Sequence, residues 1–322
     1  PCDTLPRMAH APDPVTARPF LKWAGGKSQL LSQFERYYPP ELRCGAIRRY
    51  VEPFVGGGAV FLDVVQRYDV RQATLIDVNL ELILAYRVVR RAPGQLIDRL
   101  RAIHDHYYAL SEGEREPYYY AMRDAYNALR HGVDPDRFSD AWVARTAHLI
   151  FLNKTCYNGL YRVNRKGEFN VPFGRYARPA ILDADNLLAL SALLQRAELV
   201  HGPFARAEAF VDDHSFVYFD PPYRPLSPTA RFTSYARRRF SDDDQLALGR
   251  FYAHLDRTCD ARLMLSNSDP ANVDPRDDFF DCLYGAFHVH RVRANRTINA
   301  RADKRGKITE LLITNYPTPT PP

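Results

Sequence analysis

The apolar positions change period along the chain, and each change marks an expected element. Arg49 to Pro53 is a short apolar run ending in the loop Gly56-Gly57-Gly58, which predicts a strand and a tight turn. From Ala59 to about Tyr68 the apolar residues return at helical spacing. Ala73 to Ile76 predicts a second strand ending at Asp77, and Leu80 to Arg91 a second helix, with Pro93-Gly94 expected to stop it. Strand, glycine loop, helix, strand, acid is the opening of a doubly wound α/β domain of Rossmann-like type. Upstream, Leu30, Leu31 and Phe34 predict a helix starting near Gly26.

Beyond Pro93 the texture changes. Residues 95–152 predict three helical segments, broken at Glu116-Pro117 and between Gly132 and Pro135. Residues 153–182 lose helical periodicity and are rich in Asn, Gly, Arg and aromatics, which predicts a β-hairpin. Helical spacing returns at Asp185 to Arg196. Strand-like runs follow at Leu199-Val200, Ser215 to Phe219, Arg262 to Leu265, Ala286 to Val292 and Ile308 to Thr314. The expected organisation is an α/β domain over 20–94 and 183–316. A mostly helical insert over 95–182, carrying the hairpin, interrupts it, and 1–19 and 317–322 read as a flexible arm and a tail.

The composition fits that picture. The chain has 322 residues, 46% hydrophobic and 25% charged, as an ordinary globular protein of about two domains would. No apolar run approaches the roughly 18 residues of a membrane-spanning helix, and the Pro-rich start lacks the apolar segment of a secretory signal. Cys2, Cys44, Cys156, Cys259 and Cys282 are scattered without metal spacing, so neither a disulfide framework nor a structural metal is expected, and a cytoplasmic setting fits best. The net charge is 44 − 38 = +6, but its distribution is uneven. Asn153–Arg178 carries six bases and one acid, Arg224–Arg239 five bases and none, Ala286–Glu310 seven bases and two acids. Three such stretches interleaved with aromatics and Asn point to a phosphate-facing surface.

Three motifs carry chemistry. In Glu52-Pro53-Phe54-Val55-Gly56-Gly57-Gly58-Ala59-Val60-Phe61, a glycine turn between strand and helix lets backbone approach a ligand. Asp77, 24 residues after Pro53, stands where a carboxylate meets ribose hydroxyls. The third glycine of the G-x-G-x-x-G pattern is missing, which disfavours a pyrophosphate and leaves a nucleoside such as S-adenosylmethionine. Phe20-Leu21-Lys22-Trp23-Ala24-Gly25-Gly26-Lys27-Ser28 ends like a P-loop, but the glycine that pattern requires is Leu21. In Phe219-Asp220-Pro221-Pro222-Tyr223, two prolines after an apolar strand fix the backbone. A carboxylate and an aromatic face flank them, a combination suited to accepting an amino group and stacking a planar base.

Together these blocks resemble the Dam-type DNA adenine-N6 methyltransferases. FLKWAGGK, EPFVGGGAVF, LIDVN, NGLYRVNRKGEFNVPFGRY and FDPPY occur in that family's order, and the likeness spans about residues 18–316. The resemblance implies S-adenosylmethionine as methyl donor, no metal, and double-stranded DNA as partner, with no obligate protein partner and a nucleoid-associated location. It implies donor contacts from Trp23, Gly26, Lys27, Phe54, Gly56, Gly58, Asp77, Phe204 and Asp220, with Lys27 suited to the methionine carboxylate. Pro203, before Phe204, stands where many relatives carry an acid. It further implies that Asp220, Pro221, Pro222 and Tyr223 carry catalysis on a flipped adenine, with Tyr223 stacking on the base. Lys22 and Arg162 would read guanine, Tyr157, Asn158 and Leu160 would contact or wedge beside the flipped base, Pro172 would touch a thymine methyl, and Arg175 a phosphate. The branch with this insert methylates GATC.

Two other functions are compatible with parts of the pattern. One is methylation of an RNA base or a glutamine amide, where Asn-Pro-Pro-Tyr is usual and this chain has Asp220. The other is a DNA-binding relative that has lost catalysis, against which the intact Asp220–Tyr223 block argues.

Overall fold

A computed structural model describes residues 16–131, 134–224, 240–295 and 307–318. The first fifteen residues of the expected arm, the tail from 319, and the runs 225–239 and 296–306 inside two of the basic stretches lie outside the described residues.

Seven strands form one sheet: β1 (Arg49–Glu52), β2 (Gln72–Asp77), β3 (Ala197–His201), β4 (Ser215–Phe219), β5 (Arg262–Ser268), β6 (His288–Asn295) and β7 (Lys307–Thr314). Their order is β3-β2-β1-β4-β5-β7-β6, and β7 alone runs against the rest. Chain direction and side-chain alternation together make both faces apolar. Tyr50, Leu75, Phe216, Tyr218, Met264 and Leu312 enter one buried cluster, and Val51, Ile76, Val217, Phe219, Leu265 and Ile313 enter the other. Short α1 (Leu31–Phe34) and α2 (Pro40–Arg43) precede the sheet, and α3 (Ala59–Arg67) and α4 (Leu80–Arg91) follow β1 and β2. The helix expected from Gly26 thus shrinks to a single turn at Leu31, because Gly25 and Gly26 are held in turns.

The insert holds α5 (Pro93–Ala109), α6 (Glu112–Ala128) and α7 (Asp140–Thr155). Two expected breaks move. Pro93 starts α5 instead of merely ending α4, since a residue with fixed φ and no N–H suits the first helical position. Pro117 lies inside α6, in its second turn. The break falls before Glu112, where Ser111 and Glu114 form a reciprocal capping box strong enough to set the start. The expected hairpin is also looser than a ladder. The segment turns back on itself through two isolated antiparallel bridges, Cys156 with Phe173 and Val163 with Phe169. Its polar side chains take the backbone partners a ladder would use: Asn127 bonds both N–H and C=O of Phe169, and Asn164 accepts from Lys166 and Glu168. After α8 (Ala184–Leu194), β3 and β4, the helix α9 (Asp242–Thr258), unforeseen from the periodicity, packs Leu248, Tyr252 and Leu255 on the second face, followed by α10 (Phe279–Leu283).

Candidate active site

The sheet reverses its winding between β1 and β4, and the loops leaving the carboxyl ends of those strands meet there, the usual place for a ligand in such a fold. After β1, Gly56 (φ +47°) and Gly58 (φ +67°) take left-handed conformations that open the turn into α3. A Cβ on Gly56 would lie 2.9 Å from Trp23 Cδ1, and one on Gly58 2.7 Å from the Tyr86 hydroxyl, so both glycines are required by close approach. Asp77, at the tip of β2, accepts from the N–H of Gly56 (3.2 Å) and of Asn79 (2.8 Å). Burial pushes its carboxyl up to about 6, against those N–H groups and nearby His201. On the other side of this cleft, Phe54 and Phe204 lie with ring centroids 5.6 Å apart, and Phe240 meets Phe54 edge-on at 5.8 Å. Aromatic walls, a strand-end carboxylate and a glycine turn form a cradle with the chemistry to take a nucleoside.

At the end of β4, Asp220 is the centre of a charged cluster. Lys27, 3% exposed, places its ammonium 2.8 Å from Asp220 Oδ1 and 2.9 Å from Oδ2, and donates to the Gly25 carbonyl at 2.7 Å. The Ser266 hydroxyl donates to Asp220 Oδ1 at 3.1 Å and is itself 2.8 Å from the Tyr218 hydroxyl. Burial raises the Asp220 carboxyl, and the Lys27 ammonium opposes this. Glu52, 2% exposed, lies below; burial pushes it well above the usual carboxylate range, while its hydrogen bond from Tyr50 (2.9 Å) acts the other way. The Tyr223 ring lies 4.7 Å from Lys27 Nζ, and its hydroxyl donates to Glu310 Oε2 at 2.5 Å.

The prolines are held from beneath. Gln245, in the first turns of α9 and fully buried, donates to the Pro222 carbonyl (3.2 Å) and accepts from Asn267 Nδ2 (3.1 Å). Arg224 pairs with Asp242 and with Asp277. This guanidinium, counted in the second basic stretch, is therefore an internal brace of the loop, not a free cation.

The insert faces this cleft through the segment Phe20–Ser28. Asn153, at the end of α7, bonds both the N–H and the C=O of Lys22, at 2.7 and 2.9 Å. Gly159 packs so tightly on Lys22 that a Cβ there would meet its side chain at 2.2 Å. The Lys22 ammonium is exposed, 4.8 Å above the Tyr176 ring, and the Tyr176 hydroxyl accepts from the Asn158 N–H. Trp23 stacks on Tyr161 (5.3 Å, 22°). Tyr157 is 55% exposed, Leu160 is half-buried beside it, and Pro172, whose carbonyl accepts from the Tyr157 N–H, is exposed. Arg162 is held by Asn170 through two bonds (2.8 and 3.0 Å), and Arg175 by Glu116 (3.0 Å).

A strand-end Asp-Pro-Pro-Tyr beside a nucleoside cradle, faced by an exposed basic and aromatic loop, is matched over residues 23–298 by the D12 class N6 adenine-specific DNA methyltransferase family. The chain belongs to that family. It is 49% identical to the type II methyltransferase M.MjaIII of Methanocaldococcus jannaschii over 303 residues, covering 94% of this chain and 100% of that one. To the type II methyltransferase M1.LlaDCHI of Lactococcus lactis subsp. cremoris it is 38% identical (94% and 96% covered). To the DNA adenine methylase of a Vibrio cholerae strain it is 34% identical (92% and 95% covered). As a D12-class methyltransferase it is an adenine-specific DNA-modifying enzyme, and family membership implies S-adenosylmethionine as donor.

Within this methyltransferase the residues named from sequence converge on one cleft and one facing loop, with one difference. Lys27 is turned inward on Asp220, so its ammonium is not free for a donor carboxylate. Sequence reasoning missed Glu52, Phe240, Gln245, Ser266 and Glu310. The Ser241–Asp244 capping box was a readable signal for α9 and thus for Gln245. The polar Ser266-Asn267-Ser268 ending an apolar strand was a second. Glu310 and Phe240 join the site through tertiary contacts alone.

Proposed function

We propose that this chain transfers a methyl group from S-adenosylmethionine to N6 of an adenine flipped out of duplex DNA, within GATC. The observation that carries the reading is Asp220 at the end of β4, held by Lys27 and Ser266 beside the switch point of the sheet. The donor would lie over Gly56–Gly58, with its ribose at Asp77, its adenine bordered by the Phe54–Phe204 pair, and Trp23 and Gly26 along its amino-acid end; it supplies an electrophilic methyl group. The chain's own residues position the acceptor. The lone pair of an adenine N6 amine is delocalised into the ring. Hydrogen bonds from N6–H to Asp220 and to the Pro221 carbonyl draw it out of conjugation, and Pro222 and Tyr223 hold the base plane. Lys27 orients Asp220 and opposes the upward push of burial on its carboxyl. Extrahelical presentation is required because N6 of a stacked base is out of reach. Lys22 from the α/β domain and Arg162 from the insert, residues 95–182, match the O6/N7 edge of guanine, while in the insert Asn158 and Leu160 flank the vacated stack, Pro172 offers an apolar contact, and Arg175 holds phosphate.

The test is digestion of treated plasmid with restriction enzymes that share GATC but differ in sensitivity to adenine methylation. Protection that requires S-adenosylmethionine is expected, with Asp220→Ala reducing turnover on the order of 10² or more while duplex affinity holds. Methylation at another sequence would refute GATC, and near-wild-type turnover of Asp220→Ala would refute the acceptor assignment.

A further inference from the structure

Tyr223 follows two prolines and lies outside strand and helix. Its ring is nevertheless fixed at two points. Lys27 Nζ lies 4.7 Å from the ring centroid, and the hydroxyl donates to Glu310 at 2.5 Å. Glu310 comes from β7, the one reversed strand, whose register with Ser268 brings it to the same edge of the sheet as Asp220. It follows Thr309 and precedes the apolar run Leu311 to Ile313, and is removed from most solvent. Among the described residues, the Tyr223 hydroxyl is the side chain that hydrogen-bonds it. A carboxylate so placed is costly unless its hydrogen bond is used.

We infer that Glu310 is a positioning residue for the reaction: by accepting from the Tyr223 hydroxyl it fixes the ring plane on which the target adenine stacks. The inference rests on the reading of Tyr223 as that stacking platform. With Lys27 over one face of the ring, the base takes the other. An unanchored ring turns about its two side-chain torsions, and N6 then drifts from Asp220. Loss of the anchor therefore lowers turnover more than it weakens binding. A glutamine at 310 still presents an oxygen to the phenol, whereas alanine does not.

The experiment measures steady-state methylation and the emission of 2-aminopurine placed at the target adenine, on a duplex whose site the digestion assay has established. Glu310→Ala is expected to lose about tenfold to a hundredfold in kcat, with the KM for S-adenosylmethionine little changed. Its 2-aminopurine emission in the complex should differ from that of the wild type. Glu310→Gln should recover most of that loss. Tyr223→Phe breaks the same bond without touching β7, which separates the effect from misfolding. It should lose a similar factor, and the Tyr223→Phe/Glu310→Ala double variant should lose little more than either alone. Wild-type-like kcat and emission in Glu310→Ala, or losses that multiply in the double variant, would overturn the inference. If Tyr223→Ala itself methylates at the wild-type rate, the platform reading fails first and the inference falls with it.

Discussion

Asp77 lies where a buried carboxylate would ordinarily be a liability. Two backbone N–H groups hold it, one on each oxygen, and each oxygen keeps a lone pair beyond that bond. Its proton is lost near pH 6, above the ordinary carboxylate range. The folded state thus binds this proton more tightly than the unfolded chain, so the group's contribution to stability falls as pH rises from about 4 to about 6 and is level above that. Ligand affinity runs the other way, because the protonated acid has lost an acceptor for ribose hydroxyls. Calorimetric titration with S-adenosylhomocysteine should therefore show affinity falling as pH drops through about 6. Asp77→Asn should bind more weakly by about 1.5–3 kcal/mol at neutral pH and show no such dependence. Arg162 and Arg175 differ in kind at the same scale. Arg162 is splayed by two bonds to Asn170 and stands near the exposed Tyr157, whereas Arg175 is tied to Glu116 on α6. Arg162→Ala should lose about 1–3 kcal/mol of discrimination at one guanine. Arg175→Ala should weaken all duplexes alike and lower the salt slope by about one. Duplexes varied one base pair at a time, assayed at several salt concentrations, distinguish the two.

Among the elements, α9 does most to hold the acceptor loop without touching the reacting atoms. Its capping box at Ser241 and Asp244 fixes where the helix begins, and that start sets Gln245 beneath the Pro222 carbonyl. Ser241→Ala should cost about 1 kcal/mol of stability, read by urea denaturation, with little effect on kcat. Gln245→Ala should act on turnover as well as on stability. Removing it frees the Pro222 carbonyl and leaves Asn267 Nδ2 without its acceptor in the interior, so turnover should fall about tenfold or more while the affinity for S-adenosylhomocysteine stays near wild type. A Gln245→Ala enzyme with wild-type kcat would show that the prolines alone fix the loop.

At the scale of the molecule, the insert is not hung from the sheet by linkers. The first buried cluster runs without a break from Leu75 and Phe216 through α4 into Tyr119, Phe151 and Phe169. At its centre Arg145 of α7, almost fully buried, grips Glu81 of α4 through two bonds (2.6 and 2.7 Å) and donates to the Tyr126 carbonyl of α6. Breaking this pair leaves a buried unpaired charge. Glu81→Ala should cost about 3–5 kcal/mol, whereas replacing both partners with apolar residues should cost far less. Because the contact spans sheet and insert, circular dichroism and intrinsic fluorescence should report one shared unfolding transition, lowered as a unit in Glu81→Ala. Two separate transitions would show that the insert folds independently.

Much of this protein is decided locally and can be read in its sequence. The strands β1, β2 and β4, the helix α4, the glycine turn and the position of Asp220 follow from period, turn chemistry and strand ends, because each depends on neighbours within a few residues. Pro117 does not break α6, and Pro93 starts a helix as well as following the end of one, for the same reason in reverse. A proline signals that something starts or stops, and the capping groups around it decide which. The looseness of the 153–182 segment lies beyond sequence pattern, since Asn127 from a distant helix takes the bonds a ladder would have used. The charged cluster is wholly tertiary. Lys27, Glu52, Asp220, Ser266 and Glu310 come from five separate segments, and only the closing of the sheet brings them within hydrogen-bonding or Coulombic reach. The family resemblance offers a lysine for a ligand, and the sequence a glutamate that looks like an interruption in a strand. Burial and distance, which no local pattern encodes, make one the partner of Asp220 and the other the anchor of Tyr223.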